Sequence, residues 1–250
     1  MSTLQDPRPI LTHPGLEPWQ KRARLASLAE DAHPWVGCTA RTRPLFERGV
    51  LCGLFEGHAP YRPRYVLPDC GRLMAQGSAY LELDPPRDLF EAVGLLLAAY
   101  RFVPSITGLP VWLWDLDALL EPFWDTVDPA TARRLLSLFL TQIDRTLPDA
   151  FVHANLGPGD SRVAHALLDL EREARRAVPN LSLKLGPDSP RELKLAAVAC
   201  ALETGKPWFA HDALLGSALP GPYGIASCYN TLRVGGGSHT LVRLNLARLA

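Results

Sequence analysis

The chain has 250 residues, with 26 basic and 26 acidic side chains, no formal net charge, 47% hydrophobic residues and 21% charged residues. That balance supports a sizeable core in one large or two ordinary domains. It excludes the basic surface that would draw nucleic acid or anionic lipid, and no run of like charge is long enough to suggest disorder.

The five cysteines, Cys38, Cys52, Cys70, Cys200 and Cys228, are scattered, with no Cys-x-x-Cys pair and no cysteine/histidine spacing of a zinc site. The segment Met1 to Ile10 is polar and contains proline, so it lacks the apolar centre of a secretory signal. The most apolar stretch, Leu89 to Val103, is too short for a membrane span and is interrupted by Glu91 and Arg101. With an odd cysteine count, these features predict a soluble, cytoplasmic protein that binds no metal directly.

Taken in order, residues 1–18 hold four prolines and read as an irregular leading segment. Trp19 to Ala32 has helical spacing, with Leu25, Leu28 and Ala29 on one face. From Gly49 to Asp69 the chain is rich in turn residues and aromatics. Pro60 and Pro63 hold it extended, so Tyr61, Arg62, Arg64 and Tyr65 either line a cleft or cover a core. Asp84-Pro85-Pro86 signals a helix start with Asp84 as its cap. Leu89, Phe90, Val93, Leu96, Leu97 and Tyr100 then recur at helical spacing, and Pro104 is expected to end the helix. Pro110 to Trp114 reads as a short buried strand.

Asp128-Pro129 opens a second helix, Ala130 to Leu147, and Phe151 to Asn155 is the next strand. Gly157-Pro-Gly-Asp160 turns into a helix over Ser161 to Val178, with Asp160 as its expected cap. Leu181 to Leu185 alternates with strand period. Ser189-Pro190-Arg191-Glu192 has the form of a capping box, and its helix runs to about Thr204 and stops at Gly205. Trp208 to Ala210 is the last short strand of the series. Strands alternating with helices after residue 110 define an α/β class, and the first hundred residues read as mainly helical. The expected division is therefore a helical region over 1–100 and an α/β region over 101–250.

The chain converges on Gly221-Pro-Tyr-Gly-Ile-Ala-Ser-Cys228-Tyr-Asn230, followed by Gly235-Gly-Gly-Ser-His239. Glycines and small residues here let backbone approach closely and carry one thiol to a tip. Two readings of Cys228 stand side by side: a small core residue, since free cysteines are often buried, or a thiol presented inside a closed site. His153 and Asn155 share a strand face, which either meets substrate or holds an interior hydrogen-bonded pair. Asp212 with His211 or His239 completes a formal Cys/His/Asp set for a hydrolase, but no elbow motif surrounds the thiol and its sequence neighbours are neutral. A neutral thiol suits hydrogen-atom chemistry better than nucleophilic attack. Gly157-Pro-Gly-Asp160 lacks the lysine and glycine spacing of a P-loop, and Gly235-Gly-Gly lacks the helix-opening spacing of a dinucleotide fingerprint.

Pro179-Asn-Leu-Ser-Leu-Lys184, Thr204-Gly-Lys-Pro-Trp-Phe209, Gly224-Ile-Ala-Ser-Cys-Tyr-Asn230 and Gly235-Gly-Gly-Ser238 together resemble glycyl radical enzymes, and within them the YjjI-like family. Leu54-Phe-Glu-Gly-His-Ala-Pro-Tyr-Arg-Pro-Arg-Tyr65 and Phe151-Val-His-Ala-Asn-Leu-Gly-Pro158 extend the resemblance from about Gly49 to the C-terminus. It implies half of a pyruvate formate-lyase-like ten-stranded α/β barrel, ending just after the cysteine loop. It implies Cys228 as the catalytic thiyl carrier, with His153, Asn155, Tyr229 and Asn230 near an unknown small organic substrate. It also implies a radical S-adenosylmethionine activating enzyme, whose iron–sulfur cluster stays in that partner, and a protein-derived glycyl radical. The family's radical motif, Arg-Val-x-Gly followed by an aromatic, is missing. Arg233-Val-Gly-Gly-Gly237 resembles it in part, but no aromatic follows and it lies too close to Cys228 to face it. The expectation is a truncated or split enzyme, inactive alone and completed by a separately encoded C-terminal half. The alternatives are a non-catalytic interaction remnant and, behind it, a cysteine-dependent hydrolase.

Overall fold

A computed structural model of the chain describes residues 6–31, 39–53, 65–107, 111–146, 152–219, 221–226, 230–238 and 242–248. They fall into two compact units, one made of residues 1–64 with 238–250, the other of residues 65–237. The first unit holds helices Arg8–Leu11, Pro18–Asp31 and Arg43–Glu47 and a two-stranded antiparallel sheet. In that sheet Leu51–Gly53 pairs with Val242–Leu244, Leu51 opposite Leu244. Just outside the pairing, the Asn245 N–H donates to the Val50 carbonyl at 2.8 Å and Arg248 donates to the Arg48 carbonyl at 2.7 Å.

The second unit is built on a four-stranded, all-parallel sheet in sequential order: Trp112–Leu113, His153–Leu156, Asn180–Leu185 and Trp208–His211. The crossovers carry helices Pro129–Thr146, Arg162–Ala174 and Arg191–Thr204, the βαβ arrangement that parallel pairing requires. Register fixes which side chains share a face: Trp112 pairs with His153, Asn155 with Ser182, Ser182 with Trp208 and Lys184 with Ala210. One face of the sheet is therefore Leu113, Ala154, Leu156, Leu181, Leu183, Leu185 and Phe209. It packs against the helices in the main core, with Leu96, Phe139, Ile143, Leu167 and Cys200. Phe139 is fully buried there, and truncating such a side chain to alanine costs about 3–5 kcal/mol.

The helices mostly follow the sequence periodicity, and the differences have local causes. Helix Leu89–Thr107 runs past Pro104. The ring removes one helical N–H bond, and the buried face from Leu89 to Tyr100 anchors the helix ahead of it. Asp88, not Asp84, caps this helix, accepting from the Glu91 N–H at 2.8 Å. Asp128 caps its helix as expected, accepting from the Ala130 and Thr131 N–H groups at 3.0 Å each. Ser161, not Asp160, caps Arg162–Ala174, accepting from Ala164 N–H at 2.9 Å, while Asp160 contacts His165 Nε2 at 2.9 Å. That helix stops at Ala174 because Arg175 turns left-handed, with φ of 46°. The capping box at Ser189 does not form: its hydroxyl accepts from Gly186 N–H and donates to the Pro158 carbonyl, tying two loops together. Gly205, at φ 78°, ends Arg191–Thr204 as the sequence predicts.

Candidate functional site

The other face of the sheet is unlike the helical one. It presents Trp112, His153, Asn155, Ser182, Lys184 and Ala210, and the four polar members are each 2% exposed or less. A β-hairpin covers this face. Its strands Tyr223–Ile225 and Thr231–Arg233 pair antiparallel, Gly224 opposite Leu232. At the end of the ladder the Ala226 N–H donates to the Asn230 carbonyl at 2.9 Å. Residues 227–229 connect those two positions, with Cys228 in the middle, and Cys228 and Tyr229 lie outside the described residues. So does the sequence from 54 to 64 that carries Tyr61, Arg62 and Arg64.

The outer edge of Tyr223–Ile225 has no neighbouring strand among the described residues, and two side chains of the sheet take that place. Asn155 Oδ1 accepts from the Ile225 N–H at 2.8 Å, and its Nδ2 donates to the Ile225 carbonyl at 2.6 Å. Lys184 Nζ donates to the Tyr223 carbonyl at 2.7 Å and lies 4.2 Å from the centre of the Tyr223 ring. The lysine charge is balanced by Asp115 Oδ1 at 2.6 Å. Burial pushes the Asp115 carboxyl up and Lys184 pulls it down, with burial the larger effect. Asp115 is held at φ 42°, in the left-handed region that aspartate tolerates better than most residues. The Tyr223 hydroxyl donates to Asp212 Oδ1 at 2.5 Å. Burial, reinforced by that carboxylate, raises the phenol above its usual range.

Close approach of the hairpin depends on Gly224, and close approach of two neighbouring strand ends on Gly157. A Cβ at Gly224 would stand 2.9 Å from Leu67 Cδ2 and 3.0 Å from Asn155 Oδ1. At Gly157, φ is 73° and a Cβ would stand 2.6 Å from the Lys184 carbonyl oxygen. Apolar packing completes the layer: Leu67, Trp112 and Ala226 form one cluster, and Ala210, Tyr223 and Ile225 another. The Trp114 indole N–H donates to the Pro68 carbonyl at 3.0 Å, and Gly235 N–H donates to the Leu67 carbonyl at 2.8 Å.

The sequence-predicted residues separate in this arrangement. His153 packs edge-on against Trp112, with ring centroids 5.3 Å apart, and burial lowers its pKa to about 4, so the imidazole is neutral at pH 7. Asn155 gives both ends of its amide to Ile225. Asn230 is exposed at the connecting end of the hairpin, opposite Ala226. His211 lies at the end of the sheet, where its Nδ1 accepts from the Leu214 N–H at 3.2 Å as a helix cap. His239 lies outside the described residues. Sequence reasoning missed Lys184, Asp115 and Tyr223 as a connected set. The one signal for them was a lysine inside the apolar alternation Leu181-Ser-Leu-Lys-Leu185.

Beyond the ends of the first two strands lies a cleft of about 500 Å³, lined by Asp115, Asp117, Glu121, Gly157, Asp160 and Ser161 among others. Asp117 Oδ2 accepts from Gly157 N–H at 3.0 Å and Ser161 Oγ at 3.3 Å, and burial raises its pKa to about 6. Among the described residues no group of His, Cys, Asp and Glu side chains is arranged to hold a metal ion, and no helix is long and apolar enough to cross a membrane.

Two solved structures share the fold of this chain. Hydroxyproline dehydratase (HypD) from Clostridioides difficile, solved with trans-4-hydroxy-L-proline bound, superposes with a TM-score of 0.60 at 12% identity, over 93% of this chain and 45% of that one. The anaerobic ribonucleotide reductase from Thermotoga maritima, solved with citrate in its active site, gives 0.69 at 10% identity, over 92% and 52%. Sequence narrows the class: the family described as "Glycyl radical enzyme YjjI-like" matches residues 16–250, and the chain belongs to it. It is 44% identical over 246 residues to the uncharacterized protein YjjI of Escherichia coli K12, covering 96% of this chain and 47% of that protein. An uncharacterized protein of Haemophilus influenzae is 40% identical, covering 100% and 49%. The chain thus spans about half the length of the curated relatives it matches.

Proposed function

We propose that this chain supplies the cysteine-bearing half of a YjjI-like glycyl radical enzyme, with Cys228 as the thiyl carrier that takes a hydrogen atom from a small organic substrate. The observation that carries the reading is the hairpin. Its connecting residues hold Cys228, and its base is bonded over a buried polar sheet face by Asn155 and Lys184.

The chemistry is two hydrogen-atom transfers. A glycyl α-carbon radical takes the hydrogen of the Cys228 thiol, restoring the glycine C–H bond and leaving the unpaired electron on sulfur. The sulfur radical then takes a hydrogen from a substrate C–H bond, restoring the thiol and leaving a substrate carbon radical. Neither step moves net charge, so a neutral thiol among neutral groups serves better than a thiolate. A closed site keeps the radicals from water and oxygen. In this reading Tyr229 and Asn230, which follow Cys228 in sequence, are on the substrate side, His153 belongs to the buried sheet face, and Asn155 acts on the hairpin. The glycine lies in sequence supplied from outside these 250 residues. A radical S-adenosylmethionine activase generates the radical there, in an anaerobic cytoplasm.

The test is electron paramagnetic resonance after anaerobic activation. With activase, S-adenosylmethionine and reductant, the 250-residue chain alone gives no glycyl signal. Adding the C-terminal half of a longer relative gives a doublet, the unpaired electron coupling to the one remaining α-hydrogen. A doublet from the chain alone, traced by isotope labelling to Gly235, Gly236 or Gly237, overturns the proposal.

A further inference from the structure

We infer that Asn155 is a positioning residue: its carboxamide acts as a surrogate strand, holding the Cys228 hairpin at one height over the sheet. The inference deepens the reading of Cys228 as the reacting thiol and rests on it for its purpose, though the geometry stands by itself.

A strand edge offers an N–H and a C=O from the same residue at alternate positions. Ile225 presents such a pair outward, since its side of the ladder faces away from Thr231–Arg233, and a primary carboxamide offers the matching acceptor and donor. The two bonds, at 2.6 and 2.8 Å, fix both the height and the lateral position of Ile225 over the His153–Leu156 strand. Lys184 adds a second attachment two residues earlier, at the Tyr223 carbonyl. Between them Gly224 lies against Asn155 and Leu67 with no room for a Cβ. Only Ala226 and Ser227 lie between Ile225, where Asn155 attaches, and Cys228. Hydrogen-atom transfer needs the donor and acceptor atoms near van der Waals contact, and in the proposed reading the hold on Ile225 fixes where the segment leading to Cys228 begins.

A protonated carboxylic acid has the same shape as the carboxamide, with one donor and one acceptor, whereas a carboxylate has two acceptors. Asn155→Asp therefore makes a clamp that pH opens and closes. The measurements are exchange of the Ile225 amide with deuterated water and alkylation of Cys228, each as a ratio to the unsubstituted chain at the same pH. Leu183 amide exchange and Cys200 alkylation serve as internal references. Asn155→Leu is expected to raise both ratios about tenfold or more at every pH, with the references unchanged. Asn155→Asp is expected to raise them at pH 8 and return them toward one at pH 5. Ratios near one for Asn155→Leu with the references unmoved overturn the inference, as does an Asn155→Asp ratio that does not change with pH. If Asn155→Leu loses the references too, the fold has opened and the pH response of Asn155→Asp decides alone. Neither readout involves a radical, so the clamp and the radical assignment fail separately.

Discussion

The carboxamide of Asn155 and the peptide of Ile225 exchange two hydrogen bonds across 70 positions of sequence, at 2.8 Å into the side chain and 2.6 Å out of it. Both groups are buried, so each bond replaces one that water cannot supply, and losing one partner leaves the other unsatisfied. A chain segment that would otherwise be an unpaired sheet edge is thereby made part of the domain's interior. The relationship depends on a small residue between the two attachments, and this gives the first prediction.

Gly224→Ala places a methyl group against Leu67 and the Asn155 oxygen, at 2.9–3.0 Å. Leu67 is fully buried and has little room to retreat. The substitution is expected to cost about 1–3 kcal/mol in urea unfolding. Gly216→Ala, in a helix with nothing within 4 Å of the new atom, is expected to be neutral or slightly stabilising. Equal effects at the two glycines contradict the close packing of the hairpin.

His153 and Asp117 make opposing contributions to the pH dependence of stability, beside the carboxyls of Asp115 and Glu171, which burial raises in the same sense as Asp117. His153 has a folded pKa lowered to about 4 from 6.5, so its contribution is present above pH 6.5 and is lost as pH falls toward 4. Asp117 has a folded pKa raised to about 6 from 3.8, so the fold favours its protonated form, and that contribution is lost as pH rises through 6. Each amounts to about 3 kcal/mol at full extent. Between pH 4 and 6.5 they offset one another, and these two groups leave little net slope. Asp117→Asn exposes the histidine slope, with stability falling on acidification; His153→Gln exposes the reverse. Denaturant midpoints across this range measure both, and identical slopes in the two variants contradict the assignment.

Lys206 explains a motif that carries family resemblance without chemistry. Its Nζ reaches Glu171 Oε1 at 2.9 Å and donates to the Arg176 carbonyl at 2.6 Å and the Pro179 carbonyl at 3.2 Å. It thus joins the end of one helix, the turn after it and the strand that follows. Lys206→Met strands the Glu171 carboxylate, 1% exposed, and is expected to cost about 3–5 kcal/mol. Adding Glu171→Leu is expected to restore part of that loss. A double variant less stable than Lys206→Met alone contradicts the pairing.

The helices and strands of residues 110–211 were legible because each carries its own period and its own stop, as with Asp128 at one helix start and Gly205 at another's end. Cap identities were less legible. Asp84 and Asp88, or Asp160 and Ser161, differ only in where the first turn packs, and that is decided by the core. The face shared by His153 and Asn155 followed from strand alternation, but the partner of each did not. Asn155 meets Ile225, and Lys184 meets Asp115 and Tyr223, only after the sheet assembles. The ordered motifs around Cys228 made the family legible, while the immediate neighbours of that cysteine alone left a core residue as the simpler reading.

The central claim, that Cys228 exchanges hydrogen atoms with a glycyl radical, is tested most directly by the glycyl resonance in deuterated water. A thiol equilibrates its hydrogen with solvent, so reversible transfer through Cys228 places deuterium on the glycine α-carbon and collapses the doublet. With the C-terminal half of a longer relative and activase supplied, the unsubstituted chain is expected to lose the splitting, while Cys228→Ala keeps it. A doublet that collapses equally fast in Cys228→Ala contradicts the account.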